Sequence, residues 1–315
     1  MEFRTIVDIP DPGFRIGPCE AMLFVGSCFA DSIGRRFQEE KFRVVVNPFG
    51  VMYNPASVLH TIERLAEQGG DTQKPSFSVA FLTLGTNHIY RLKETGEIVD
   101  NCQKRPQALF EEKELSVDEC ADYLMKAIDL LCQMNADMHI VLTVSPIRYR
   151  KYSYHGSQLS KATLLLAVEK VIREQGNLGN SSLSRISRNS SISRNSSISR
   201  NSSISRNSSI SRNSSISRIS YFPAYEILND ELRDYRFYKD DMLHPSDQAV
   251  EYIWQRFSEI YLSDAAKTFL KEWAPLKAVL NHKPFDPDSE EYKALMNKTM
   301  LKVTALSEKY PNFAI

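Results

Sequence analysis

Apolar runs of strand length alternate along the chain with stretches that carry helical periodicity. Ala21 to Val25 is continuously apolar, the pattern of a strand buried on both faces of a parallel sheet. After Gly26, residues Phe29, Ile33 and Phe37 recur at helical spacing as far as about Glu40. Phe42 to Val46 reads as a second strand, running into the turn-rich loop Asn47 to Pro55, and Ala56 to Gln68 as a helix. The strand Val79 to Leu84 ends in Gly85-Thr-Asn-His88, with a hairpin over Tyr90 to Asp100 around Glu94-Thr-Gly-Glu97. Ser116 to Ala136 is a long amphipathic helix in which Ser116 and Glu119 are spaced as a capping box. Met138 to Val144 is a buried strand, Gln158 to Gln175 an apolar helix, Ser220 to Tyr225 a strand and Glu226 to Leu232 a short helix. Ser246 caps a helix from Asp247 to about Tyr261, and Ala265 to Leu280 and Ser289 to Lys309 are two more. This alternation predicts an α/β fold with a doubly wound sheet, whose sites lie beyond the carboxyl ends of the strands.

Two segments depart from the pattern. Pro10, Pro12, Gly13, Gly17 and Pro18 make residues 1–20 an extended arm. Over 177–219 the composition collapses to Ser, Arg, Asn and Ile, with isoleucines at 186, 192, 198, 204, 210 and 216, a period of six. A hexapeptide β-helix has that period, but two coils of about 18 residues would bury little core. A solvated spacer that cannot offset its ordering entropy is the preferred reading, a disordered insertion in a surface loop.

Composition narrows the class. The chain is 42% hydrophobic and 25% charged, ordinary for a globular protein. Of 39 basic residues seven lie in the repeat, which leaves 32 against 39 acids, a net charge of −7 that gives nucleic-acid binding by the globular part no support. The amino terminus lacks a signal-peptide layout and no apolar run spans a membrane, so the expectation is a cytoplasmic protein without a membrane partner. Five cysteines (Cys19, Cys28, Cys102, Cys120, Cys132) with no metal-type spacing read as reduced thiols.

The candidate chemistry starts at the turn Gly26-Ser27-Cys28. There the free N–H groups and positive dipole end of the following helix stabilise an anion, which suits an activated oxygen or sulfur nucleophile. An isolated Gly-Ser reads more simply as a turn with Ser27 as N-cap. The chemical reading draws its weight from Asn87 after a middle strand and from Asp241-x-x-His244 before the helix at 247. That short loop supplies a base and the carboxylate that fixes its tautomer.

This order of motifs resembles the SGNH hydrolase superfamily, and within it most closely the GSCFA-domain family, whose pentapeptide reads here Gly26-Ser-Cys-Phe-Ala30. The similarity continues through Asn47-Pro-Phe-Gly50, Thr83-Leu-Gly-Thr86, Asn101-Cys102, Thr143-Val-Ser-Pro146, Ser160-Lys161, Tyr221 to Glu226, Asp241-Met-Leu-His-Pro245 and His282-Lys-Pro-Phe285. The resemblance implies a three-layer α/β/α sandwich with a mostly parallel, flavodoxin-like sheet. One domain would cover 1–262, interrupted by the insertion, and a helical appendage 263–315. It further implies a serine esterase or acyl hydrolase acting on an O-acyl ester, such as an O-acetyl group, of a glycan or small metabolite, with no metal or organic cofactor. Ser27 would attack, His244 act as base and Asp241 orient it, with the Ser27 and Gly50 N–H groups and the Asn87 amide as oxyanion hole.

Two departures from the superfamily stand out. Its Gly-Asp-Ser becomes Gly26-Ser27-Cys28, so a gapless match selects Cys28 as nucleophile where chemistry prefers Ser27. Its Gly-x-Asn-Asp ends here in His88. Asn47, His88, Lys104 and Arg148 are candidate substrate contacts, and for Lys104, Arg148 and Lys161 ordinary surface charge is the simpler reading. An acyltransferase with the same triad, or a binding protein on a hydrolase scaffold, are the alternatives.

Overall fold

In the computed structural model, residues 4–68, 77–100, 105–188 and 218–313 are described. The strands are β1 (Ala21–Gly26), β2 (Arg43–Val46), β3 (Val79–Leu84), β4 (His88–Leu92), β5 (Ile98–Val99), β6 (Phe110–Glu114), β7 (His139–Val144) and β8 (Ile219–Tyr221). The helices are α1 (Cys28–Glu39), α2 (Pro55–Gln68), α3 (Val117–Met134), α4 (Ser153–Arg188), α5 (Ala224–Glu226), α6 (Asp247–Tyr261), α7 (Asp264–Leu280) and α8 (Glu290–Lys309). Five strands form an all-parallel sheet in the order β2-β1-β3-β7-β8. That is the flavodoxin order, which reverses direction between β1 and β3 and opens a crevice at their carboxyl ends.

Alternation along each strand builds two cores. Met22 and Phe24 of β1, Val79 and Phe81 of β3 and Val141 of β7 face one side, against Phe37 of α1, Trp254 and Phe257 of α6 and Phe269 and Trp273 of α7. Leu23 and Val25, Ala80 and Leu82, and Ile140 and Leu142 face the other, against Ile62 of α2, Leu124 of α3 and Leu164 of α4. Burial of this many large apolar side chains, at about 1.5–3 kcal/mol each, is what holds the three layers together. The helices after residue 263 continue the first core. Phe269 meets Phe42 edge-on, the Trp273 indole donates to the Glu39 carbonyl at 3.0 Å, and Val303 and Leu306 of α8 are buried in the same cluster. No described helix is long and apolar enough to cross a membrane.

Three elements differ from the sequence expectation. β6 pairs with β4 in a small antiparallel sheet, β5-β4-β6, although Phe110 is the single apolar residue in Phe-Glu-Glu-Lys-Glu. The helix placed at 158–175 begins at Ser153 and runs to Arg188, into the expected insertion. The repeat units from residue 189 lie outside the described residues. The segment at 226–232 is mostly π-helical, over Ile227–Leu232.

Gly26 closes β1. Its φ is +143°, and a Cβ there would lie 2.0 Å from the Thr83 carbonyl oxygen. Gly26→Ala is therefore expected to cost about 3 kcal/mol or more in denaturant unfolding, since both the contact and the backbone conformation exclude a side chain. A variant with the wild-type midpoint would mean that β1 and β3 separate freely at this end.

Candidate active site

Ser27 and Cys28 leave β1 together and point to different places. The Ser27 hydroxyl accepts from the Phe29 N–H at 3.3 Å as the N-cap of α1, its N–H donates to the Thr83 carbonyl at 3.1 Å, and the side chain is 0% exposed. Cys28, the first residue of the helix, lines a cavity of about 760 Å³. The same cavity is lined by His244 and Leu243, by Tyr53 from the loop before α2, and by the run Ile147 to Tyr152 that follows β7. These loops all leave the carboxyl edge of the parallel sheet, and the cavity sits where the switch point predicts a site.

His244 is held by its own loop. Its Nδ1 lies 2.6 Å from Asp241 Oδ2, while Asp241 Oδ1 accepts the N–H groups of Leu243 at 2.8 Å and His244 at 2.9 Å. The two backbone N–H groups, more than the imidazole, lower the Asp241 pKa to about 2, so this carboxylate is ionised at neutral and mildly acid pH. With Nδ1 on Asp241, Nε2 is the ring nitrogen left for chemistry. The loop is tied to the wall by the Arg148 N–H, which donates to the Leu243 carbonyl at 3.1 Å.

Burial raises the Cys28 thiol above its ordinary range, and the neighbouring Tyr53 hydroxyl and Cys28 N–H offset part of this. At neutral pH the sulfur is therefore a thiol that needs a base. Burial also raises the Tyr53 phenol, which keeps it a donor. Tyr53 is fixed through its carbonyl, which accepts the N–H groups of Gly85 and Thr86 at 2.8 Å each.

Models of the GSCFA family match residues 21–79, 71–179 and 192–257, and a model of the GSCFA domain protein C-terminal domain matches 273–315. The chain belongs to the GSCFA family. A search of curated proteins found no match. Among solved structures, the chain is similar to a carbohydrate esterase family 3 from Talaromyces cellulolyticus, at 8% identity and a TM-score of 0.37 over 80% of this chain and 99% of that one. An acetyl esterase mutant with acetate ion matches at 9% identity and a TM-score of 0.38, over 80% and 99% of the two chains.

The family pentapeptide thus holds one polar residue buried as a helix cap, Ser27, and one that lines the cavity, Cys28. The expected oxyanion donors are also committed elsewhere. The Ser27 N–H is taken by Thr83, the Gly50 N–H donates to the Asn47 carbonyl at 2.9 Å, and the Asn87 amide donates to the Leu115 carbonyl at 2.8 Å. Asn47 braces the turn, accepting from the Gly26 N–H at 2.8 Å and donating to Asp31 at 2.6 Å. His88 lies behind the wall, stacked 3.6 Å from the Tyr152 ring, with Nδ1 3.0 Å from Glu112 but without hydrogen-bond alignment. Lys104 lies outside the described residues. Arg148 does line the cavity.

Lys161 is neither surface charge nor a cavity residue. It is buried, its Nζ donates to the Gly85 carbonyl at 2.6 Å, and it faces the Tyr149 ring at 4.9 Å. The residues that sequence reasoning missed are Tyr53, Tyr149 and Tyr152, with Arg150, Lys151 and Glu112. The available signal was Arg148-Tyr-Arg-Lys-Tyr152, an aromatic and basic run directly beyond the end of a buried strand.

Two substitutions test this arrangement. Ser27→Ala removes only a cap, so it is expected to lower stability by about 1 kcal/mol while leaving Cys28 alkylation by iodoacetamide within a few-fold of wild type. Loss of alkylation in a folded variant would return Ser27 to the chemistry. Burial holds the Lys161 pKa well below its ordinary 10.5 in the folded protein. Between the folded and unfolded values the unfolded chain binds the extra proton, so this group adds stability as pH rises. The stability difference between wild type and Lys161→Met should therefore climb in favour of wild type toward pH 10.5, at no more than about 1.4 kcal/mol per pH unit. A difference that stays constant with pH would mean that Lys161 is charged in the fold.

Proposed function

We propose that the protein is an acyl-ester hydrolase whose nucleophile is the Cys28 thiol. The observation that carries this reading is that Cys28 and the Asp241-bound His244 line one cavity, whereas Ser27 is buried as a helix cap. His244 Nε2 takes the Cys28 proton as the sulfur bonds to the ester carbonyl carbon. The C–O bond to the alcohol then breaks, and the imidazolium returns its proton to the departing oxygen. Water, deprotonated by His244, attacks the thioester carbonyl; the C–S bond breaks and the sulfur recovers its proton. Asp241 holds the imidazole tautomer and balances its transient charge.

Negative charge on the carbonyl oxygen needs donors. The Cys28 N–H has no acceptor inside α1, as for any first-turn N–H, and the protonated Tyr53 hydroxyl belongs to a residue lining the same cavity. These two groups replace the Ser27, Gly50 and Asn87 set as the oxyanion hole. The substrate class is an O-acyl ester, with O-acetyl esters of glycans or small metabolites the first to test.

The test is hydrolysis of p-nitrophenyl acetate with mass detection of the acyl-enzyme. Cys28→Ala and His244→Ala should abolish both, Asp241→Asn should lower kcat by about 10²–10⁴ and Tyr53→Phe by about 10². Iodoacetamide alkylation of Cys28 should accelerate with pH up to and beyond pH 9, because the resting thiol is protonated. Turnover that persists in Cys28→Ala and vanishes in Ser27→Ala would overturn the assignment. No turnover by folded wild type on any acyl ester would leave a binding role on this scaffold.

A further inference from the structure

The cavity wall carries more positive charge than its own carboxylates neutralise. Its lining includes Arg105, Arg148, Arg150 and Lys151 against Asp100 and Glu112. Both acids are already engaged. Asp100 bonds His60 at 2.9 Å, and Glu112 accepts from Tyr90 at 2.8 Å and pairs with Lys151 at 3.3 Å. Among the described residues no carboxylate forms an ion pair with Arg105, Arg148 or Arg150. Arg105 and Arg150 are exposed.

Arg148 is different, because it is half-buried. A guanidinium withdrawn from water ordinarily has an anionic partner. Its central carbon faces tyrosine rings, Tyr238 at 4.2 Å and Tyr154 and Tyr235 at 5.9 Å each, and with Tyr235, Tyr238 and Asp234 the residue also lines a second, smaller cavity of about 200 Å³. Ring faces hold the group in place without cancelling its charge, and its planar fork of donors suits carboxylate or phosphate oxygens. Through its N–H on the Leu243 carbonyl, the same residue abuts the loop that carries His244.

We propose that Arg148, assisted by Arg150, is an anion subsite of this cavity, selecting substrates in which a carboxylate or a phosphate lies close to the scissile acyl group. That the bound molecule is an ester rests on the function proposed above; the anion subsite itself does not.

The experiment compares iodoacetate with iodoacetamide as alkylating agents for Cys28 in the full chain at pH 8, with peptide mapping to separate Cys28 from the other thiols. In each reaction the sulfur displaces iodide, and only the charge of the reagent differs. Relative to 2-mercaptoethanol, the iodoacetate-to-iodoacetamide rate ratio should be raised about fivefold or more in wild type. It should fall about fivefold in Arg148→Met, fall about twofold in Arg150→Gln, and be largely kept in Arg148→Lys. High salt should compress all of these toward the reference ratio.

A second arm measures binding of succinate, inorganic phosphate and neutral succinamide to Cys28→Ala protein by calorimetry, with and without Arg148→Met. Tighter succinate points to a carboxylate-bearing substrate and tighter phosphate to a phosphate-bearing one; succinamide should not bind. A Cys28 inert to both reagents, together with anion binding that Arg148→Met removes, would refute the nucleophile and support the subsite. A wild-type ratio equal to that of 2-mercaptoethanol, or no Arg148-dependent anion binding, would overturn the subsite.

Discussion

The close approach of Gly26 to Thr83 is the constraint on which the site depends. With no side chain in the way, the end of β1 lies against β3, and the turn is then gripped from three sides. The Gly26 N–H goes to the Asn47 side chain, its carbonyl accepts from the Met52 N–H at 2.9 Å, and the next N–H, that of Ser27, goes to Thr83. The chain has one way out, with Ser27 folded inward as the cap and Cys28 outward on the first turn of α1. A hydroxyl in the core and a thiol in the cavity are thus two results of one backbone path.

The second edge of the cavity is supported by a charge that the fold suppresses. Gly85 packs so tightly that a Cβ there would sit 2.1 Å from the Tyr149 hydroxyl, and its carbonyl receives the buried Lys161. Among the described residues that lysine pairs with no carboxylate. Desolvation therefore drives it toward the neutral amine, which still donates to Gly85. Gly85 and Thr86 in turn hold the Tyr53 carbonyl, and Tyr53 lines the cavity with Cys28. The series Lys161, Gly85, Tyr53 links the core behind β3 to the cavity wall through hydrogen bonds whose strength grows with their isolation from water.

The parallel sheet was legible because strands buried on both faces need unbroken apolar runs, as in β1, β3 and β7. The Asp241-x-x-His244 loop was legible because both partners lie within four residues, so the motif implies the contact. β6 was not, since an exposed strand with one apolar residue pairs through its backbone, which leaves no trace in hydropathy. The directions of the Ser27 and Cys28 side chains were hidden for another reason. Both residue types suit a strand-to-helix turn, and the direction of each side chain is set by N-cap geometry, which favours a serine that bonds the backbone just ahead of it. Asn47, Asn87 and His88 show the same ambiguity: residues able to bind a substrate are equally able to hold a loop, and here the backbone claims the two asparagines and the cavity's outer layer claims the histidine.

Net charge misleads in a related way. A surplus of acids over the globular part argues against polyanionic partners, yet it says nothing about one wall of one cavity. What matters there is how many charges remain after local pairing, and pairing is a matter of which side chains meet. Asp100 and Glu112 are engaged with their own partners, so the arginines of that wall are left without a paired carboxylate among the described residues. An acidic protein can in this way carry a basic patch on one cavity wall, where the tyrosines around Arg148 hold its guanidinium and, among the described residues, no carboxylate pairs with it.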